Sequence, residues 1–158
     1  MKPLSVLLEL SVANALASQL FDRELARLGV APAQVGMLTL VAIHGPATPT
    51  RLEHESGLPA TTLRQRLQAL EAAGYVQRLA NPADGRSHFV VVTPEGKAFL
   101  QRVAPALERV ERRLSDALGE PLEFLRPRLE GLRRAGQSLL AVEESAFEEE
   151  GPETAVVF

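Results

Sequence analysis

Thr61, Thr62, Arg64, Gln65 and Gln68 lie within eight residues of one another, with Arg66 beside them. These are the side chains that read nucleotide edges. An arginine forks onto guanine, a glutamine pairs with adenine, and a threonine reaches a base edge or a phosphate. Leu63, Leu67 and Leu70 run through the same segment at spacings of four and three. Those leucines define one buried face of a helix, and they turn the polar set outward, with Arg66 at the border. Thr50 and Arg51, in a shorter segment upstream, extend that surface. Arg78 and Arg86 follow in a charged stretch downstream, with Asp84 between them. An arginine at a protruding tip can enter the minor groove, whose negative potential attracts it. Asp84 suits a different role. It either braces Arg86 or caps the turn by accepting from backbone amides. The one acid of the leucine-bearing helix, Glu71, lies near its C-terminal end.

Other chemistries lack their residues. The three histidines, His44, His54 and His88, do not cluster with acids at chelating spacings, so no metal site is predicted. His54 and Glu55 are adjacent and cannot form a helical chelate together. HExxH, GxSxG, a phosphate-cradling glycine loop and paired catalytic carboxylates are all missing from the sequence. The chain therefore reads as a non-enzyme without a cofactor. With no cysteine it has no disulfide framework and no thiol switch.

The elements that must position the polar set are legible from periodicity and punctuation. Leu4–Leu28 predicts one long helix, on the order of 35 Å at about 1.5 Å per residue. That exceeds what a small domain needs to cover its core, and its apolar stripe is wide, so a partner chain is expected against it. Pro32 opens a second helix that Gly45-Pro46 closes. Thr48 or Thr50 caps a third, and Ser56-Gly57 marks a tight turn. Pro59 opens the fourth helix, which Gly74 stops. Tyr75–Leu79 and His88–Thr93 predict two strands around Asn81-Pro82-Ala83-Asp84-Gly85, a loop dense in turn formers. Thr93-Pro94 starts a fifth helix that runs to Leu118, with Pro105 as a possible kink. Pro121 begins the last helix. Two small helices joined by a short turn and followed by a β-ribbon make a winged helix-turn-helix, a unit that puts one helix into the major groove of DNA. The fold class is mainly α with a small β-hairpin wing (α+β). Residues 32–96 form the winged unit, 4–30 and 97–142 form N- and C-terminal dimerisation helices, and 143–158 form an acidic, disordered tail.

Charge fits this division. The chain of 158 residues carries a net −3 at 46% hydrophobic and 4% aromatic content, so aliphatic side chains must build its core. Glu143, Glu144, Glu148, Glu149, Glu150 and Glu153 place −6 in the tail without one Lys or Arg, which leaves +3 on the remainder. Fifteen of the 17 basic residues are arginine, the better fork for phosphate and guanine, although genomic base composition also produces arginine richness. No run of eighteen apolar residues occurs, and the apolar N-terminus lacks the basic start and cleavage site of a signal peptide. A reducing cytoplasm is the expected compartment, with no membrane partner.

The span LRQRLQALEAAGYVQRLANPADGRSHFVVVTPEGKAFL resembles the MarR family of bacterial transcriptional regulators. The matching positions are Leu67, Leu70, Glu71, Gly74, Tyr75, Val76, Asn81, Pro82, Asp84, Arg86, Ser87, Thr93, Pro94 and Gly96. The resemblance covers about residues 4 to 142. It implies an obligate homodimer built from the first and last helices, a pseudo-palindromic double-stranded DNA operator, a recognition helix at residues 59–73 and minor-groove readout by Arg86. It also implies a repressor released by a small aromatic or other hydrophobic effector bound between the dimer helices and the winged unit. Leu16, Leu20, Met37, Leu40, Val41 and His44 are the expected lining of that cleft, although a histidine at a helix end is also favoured by the dipole alone. The wing departs from the family in having only Arg78 and Arg86 as basic residues. The family's oxidation-sensing branch uses a cysteine near the N-terminus, which this chain lacks. An alternative class remains, a winged-helix module that binds protein in place of DNA.

Overall fold

The computed structural model describes residues 5–150. In chain order it contains α1 (Val6–Ala26), α2 (Pro32–His44), α3 (Pro49–Ser56), α4 (Ala60–Ala72), β1 (Val76–Ala80), β2 (His88–Val92), α5 (Pro94–Leu118), a 3-10 turn (Leu122–Leu125) and α6 (Arg126–Glu150). The strands pair antiparallel, with Val76 opposite Val92 and Ala80 opposite His88. The mainly α fold with a hairpin wing is therefore as the sequence indicated. No described helix is long and apolar enough to cross a membrane.

The core lies where α2, α3, α4 and the hairpin converge. Leu38, Val41, Leu52 and Leu70 are wholly buried there, joined by Leu63, Leu67, Val76 and Val90. α5 adds Phe99 and Val103, and α1 adds its C-terminal Leu25 with Phe21 half-buried against the cluster. Phe99 packs on Tyr75 with ring centroids 4.5 Å apart. At about 25 cal/mol per Å2 of apolar surface removed from water, this aliphatic cluster dominates the stability of the winged unit.

Local signals set the element ends. Thr48 caps α3, its hydroxyl accepting from the Arg51 amide at 3.3 Å, which decides between the two expected threonine caps. Gly57 ends α3 at φ 63°, a left-handed conformation in which a side chain would be strained, so the turn into α4 needs glycine. At the end of α4, Tyr75 N–H bonds the Leu70 carbonyl and Gly74 N–H bonds that of Glu71, a Schellman pair that launches β1. Thr93 joins the hairpin to α5 by donating to the Gly74 carbonyl at 2.7 Å and accepting from Gly96 N–H at 3.1 Å. A Cβ on Gly96 would collide with the Tyr75 carbonyl oxygen, so only glycine lets α5 start this close to the strand.

Four features correct or extend the sequence reading. Pro121 does not begin the last helix: it precedes the 3-10 turn, and α6 starts at Arg126. Pro127 explains the delay, because a residue without an N–H is tolerated only in a helix's first turn. The acidic segment is not irregular from residue 143, because α6 continues to Glu150. Glutamate and alanine are good helix formers, and the first breaker is Gly151-Pro152. The rest of the expected disordered tail, 151–158, lies outside the described residues. Ala47 adds an isolated antiparallel bridge to β2 by exchanging two backbone hydrogen bonds with Val90, at 2.9 and 3.3 Å. Glu24 of α1 is buried against three guanidiniums, Arg27 at 2.6 Å and Arg109 and Arg113 of α5 at 3.6 and 3.7 Å. A carboxylate removed from water needs such compensation, so this cluster fixes the α1–α5 crossing.

Candidate nucleic-acid interface

α4 presents the surface its leucine spacing implied. Leu63, Leu67 and Leu70 point into the core. Thr61, Arg64, Gln65 and Gln68 are exposed, and Thr62 and Arg66 sit half-buried at the borders. Thr50 and Arg51 are exposed on the first turn of α3, on the approach to the same surface. Among the described residues of α4, no large hydrophobic side chain is exposed. The surface is thus polar and cationic at the N-terminal end of α4, where the helix dipole adds positive potential.

The wing loop is braced from within. Asn81 Oδ1 accepts from Ala83 N–H at 3.1 Å, and its Nδ2 donates to Ser87 Oγ at 2.7 Å. Asp84 Oδ1 accepts from Arg86 N–H at 3.0 Å. Asp84 therefore takes the capping role of the two considered for it: it holds the backbone of Arg86, whose side chain stays exposed at the tip. Arg78 has another partner. Its Nη2 lies 2.9 Å from Glu71 Oε2, and its Nε donates to the same oxygen at 3.0 Å. This pair ties β1 to the C-terminal end of α4 and neutralises the one acid of that helix. A groove of about 310 Å3 between α4 and the hairpin holds Arg64, Gln68, Glu71, Arg78 and His88 in its wall.

The six residues expected to line an effector cleft differ in their burial within this chain. Met37 and Val41 belong to the core, at 2% and 0% exposure. Leu16 is exposed on α1, and Leu20 and Leu40 are half-buried. Period-3.6 reading cannot tell a helix face turned to the core from one turned to a cavity, since both are apolar. His44 is turned toward Glu55, with Nδ1 3.9 Å from its Oε1.

Glu55 is an organising residue that sequence reasoning missed. Its Oε2 accepts from Arg133 Nη1 of α6 at 2.8 Å. Burial raises its pKa, but the Arg133 hydrogen bond and the charges of His44, Arg133 and His54 outweigh this and hold it below the usual 4.5. The partner is 78 residues away, so no local spacing announces it.

Comparison with known proteins agrees with this geometry. The model of the MarR family matches residues 28–87, which cover the helix-turn-helix and most of the wing. The multiple antibiotic resistance protein MarR of Salmonella typhimurium is 28% identical over 89 residues, which are 56% of this chain and 62% of that protein. The chain thus matches less than two thirds of the length of that curated relative. The M. tuberculosis transcriptional regulator MOSR, solved in complex with DNA, superposes with a TM-score of 0.69 at 23% identity, covering 86% of this chain and 98% of that one. Bordetella bronchiseptica BpsR, solved in a study of how 6-hydroxynicotinic acid regulates its DNA binding, superposes at 0.68 with 19% identity, covering 85% and 98%. Taken with the wing motif and the helix order, these matches show a MarR-family sequence match over residues 28–87 and a winged helix-turn-helix fold similar to that of MarR-family transcriptional regulators.

Proposed function

We propose that this chain is a cytoplasmic, homodimeric DNA-binding repressor that reads a pseudo-palindromic operator and is released by a small aromatic or other hydrophobic ligand. The observation that carries DNA binding is the outward face of α4, where Thr61, Arg64, Gln65 and Gln68 stand uncovered over a fully apolar inner face. Thr50, Arg51, Thr62 and Arg66 flank it, and Asp84 holds the backbone from which Arg86 reaches a minor groove. Arg78 acts at one remove, by fastening the wing to α4 through Glu71.

Dimerisation is supported by the exposed leucines of α1 and α6, which a second copy would cover. Ligand release is supported by the relative whose DNA binding 6-hydroxynicotinic acid regulates. A protein-binding winged module would present aromatic or aliphatic side chains on α4. That face has none, which favours DNA.

Gel shifts on the DNA flanking the chain's own gene, at roughly 50 and 200 mM salt, test the reading. Several phosphate contacts predict a loss of at least about tenfold across that range. A change of less than about twofold would count against DNA as the partner. A thermal-shift screen of phenolic acids, fatty acids and drug-like aromatics, followed by gel shifts with each stabilising compound, tests the ligand.

A further inference from the structure

The C-terminal end of α3 is finished by side chains from α6. In an uninterrupted helix the Leu58 amide would close on the His54 carbonyl. Here Leu58 N–H bonds Ser56 Oγ at 3.2 Å, and the His54 carbonyl accepts instead from Gln137 Nε2 at 2.9 Å. One turn earlier on α6, Arg133 Nη1 donates to Glu55 Oε2 at 2.8 Å and reaches Gln137 Oε1 at 3.5 Å. The Arg133 contact sets which way the Gln137 amide faces, oxygen toward the guanidinium and nitrogen toward α3. A cation and an amide donor both meet the negative end of a helix. Gly57-Leu58-Pro59 is all that separates this end from α4.

We propose that Arg133 and Gln137 are positioning residues for DNA recognition: by capping α3 they fix the placement of the α3–α4 unit relative to α6. The inference rests on the DNA-binding reading, but its geometric half does not need DNA. Any force that moves α6 is then delivered to the helix that reads bases. An exposed ion pair alone would hold α3 weakly, but two neighbouring contacts on adjoining residues resist both translation and rotation of its end.

The chain has no cysteine, so a pair introduced by Gln68→Cys on α4 and Arg134→Cys on α6 can be spin-labelled without background. Dilution with unlabelled chain leaves only the distance within one copy. The unmodified junction should give a narrow distribution. Arg133→Glu should broaden or shift it, and adding Glu55→Arg should narrow it again. Gln137→Ala gives a milder version should the charge reversal unfold the chain. In unlabelled protein, the same Arg133→Glu change should weaken operator binding by roughly three- to thirtyfold, with recovery in the charge swap. Unchanged distributions in both variants, or a swap that restores nothing, overturn the inference. Distributions that change as expected in a protein that binds no DNA refute the DNA reading and leave the α6–α3 junction standing.

Discussion

The winged unit and the helical ends solve opposite problems with the same residue types. At the centre of the winged unit leucine and valine are hidden: Leu38, Val41, Leu52 and Leu70 have no accessible surface. In α1 and α6 they are displayed. Val6 and Leu16 are 81% and 58% exposed, and Leu129, Leu132, Leu139 and Leu140 of α6 are also open. A large exposed apolar surface in one copy marks an association site. The contrast teaches that the winged unit completes its own core, whereas the ends leave their apolar side chains uncovered in a single copy. The junctions between the two regions are polar: Glu24 with its three arginines, and Arg133 and Gln137 on α3. A charged contact depends on direction, so it fixes placement where a greasy contact would let elements slide.

The comparison breaks first at the core. Leu70→Ala leaves a cavity where α4 meets the centre of the winged unit and should destabilise it by about 2–5 kcal/mol in urea or thermal unfolding. Leu16→Ala, on the displayed side, should leave unfolding of the winged unit within about 0.5 kcal/mol. Equal losses at the two positions would erase the distinction between hidden and displayed leucines.

Charge on the displayed surface probes the other half. Leu16→Glu combined with Leu139→Glu should yield monomers in sedimentation equilibrium while the winged unit keeps its unfolding transition. Operator affinity should then fall by about a hundredfold, because two half-sites no longer act together. A variant that remains dimeric would place the association surface elsewhere on the chain.

Much of this division is readable from the residues alone. Leucine spacing, proline starts and glycine stops locate α2 to α5, and Asn81-Pro82 through Ser87 locate the wing, because these signals act within one turn of chain. The polar face of α4 is equally legible, since three inward leucines determine what faces out. Contacts between distant residues are not. Nothing near Glu24 says that it is buried, although Arg109 and Arg113 at i, i+4 spacing already form a cationic stripe on α5. Met37 and Val41 fit a cleft as well as a core in sequence, because an apolar face has the same period whichever it meets. Pro121 competes with Pro127 as the helix start, and only the geometry of the 3-10 turn decides between them.

Arg64→Ala sharpens the comparison inside the reading head itself. The side chain is exposed on α4, so folding should be unaffected. Operator binding should weaken by roughly 1–3 kcal/mol, with relaxed preference at one base pair per half-site in a panel of operator variants. A uniform loss across the panel would reassign Arg64 to a phosphate.

The smallest expected effect concerns the polar junction, and pH exposes it. Glu55 has a folded pKa below the ordinary 4.5 because Arg133 and the nearby histidines favour its charged form over the opposing effect of burial. Folding therefore gains from the carboxylate wherever it is ionised in both states, which means above pH 4.5. The gain fades as pH falls through the lower folded value and the carboxylate takes up its proton. Glu55→Gln keeps the shape and removes the charge. The stability difference between the parent and this variant should close steadily as pH falls from about 5 toward pH 3. The side chain retains some contact with water, so screening limits the difference to the scale of a surface ion pair, well under the loss at Leu70. Parallel curves across the acid range would mean that the Arg133 contact contributes nothing to holding α3. The polar junction would then be decoration on a placement set by the apolar surfaces alone.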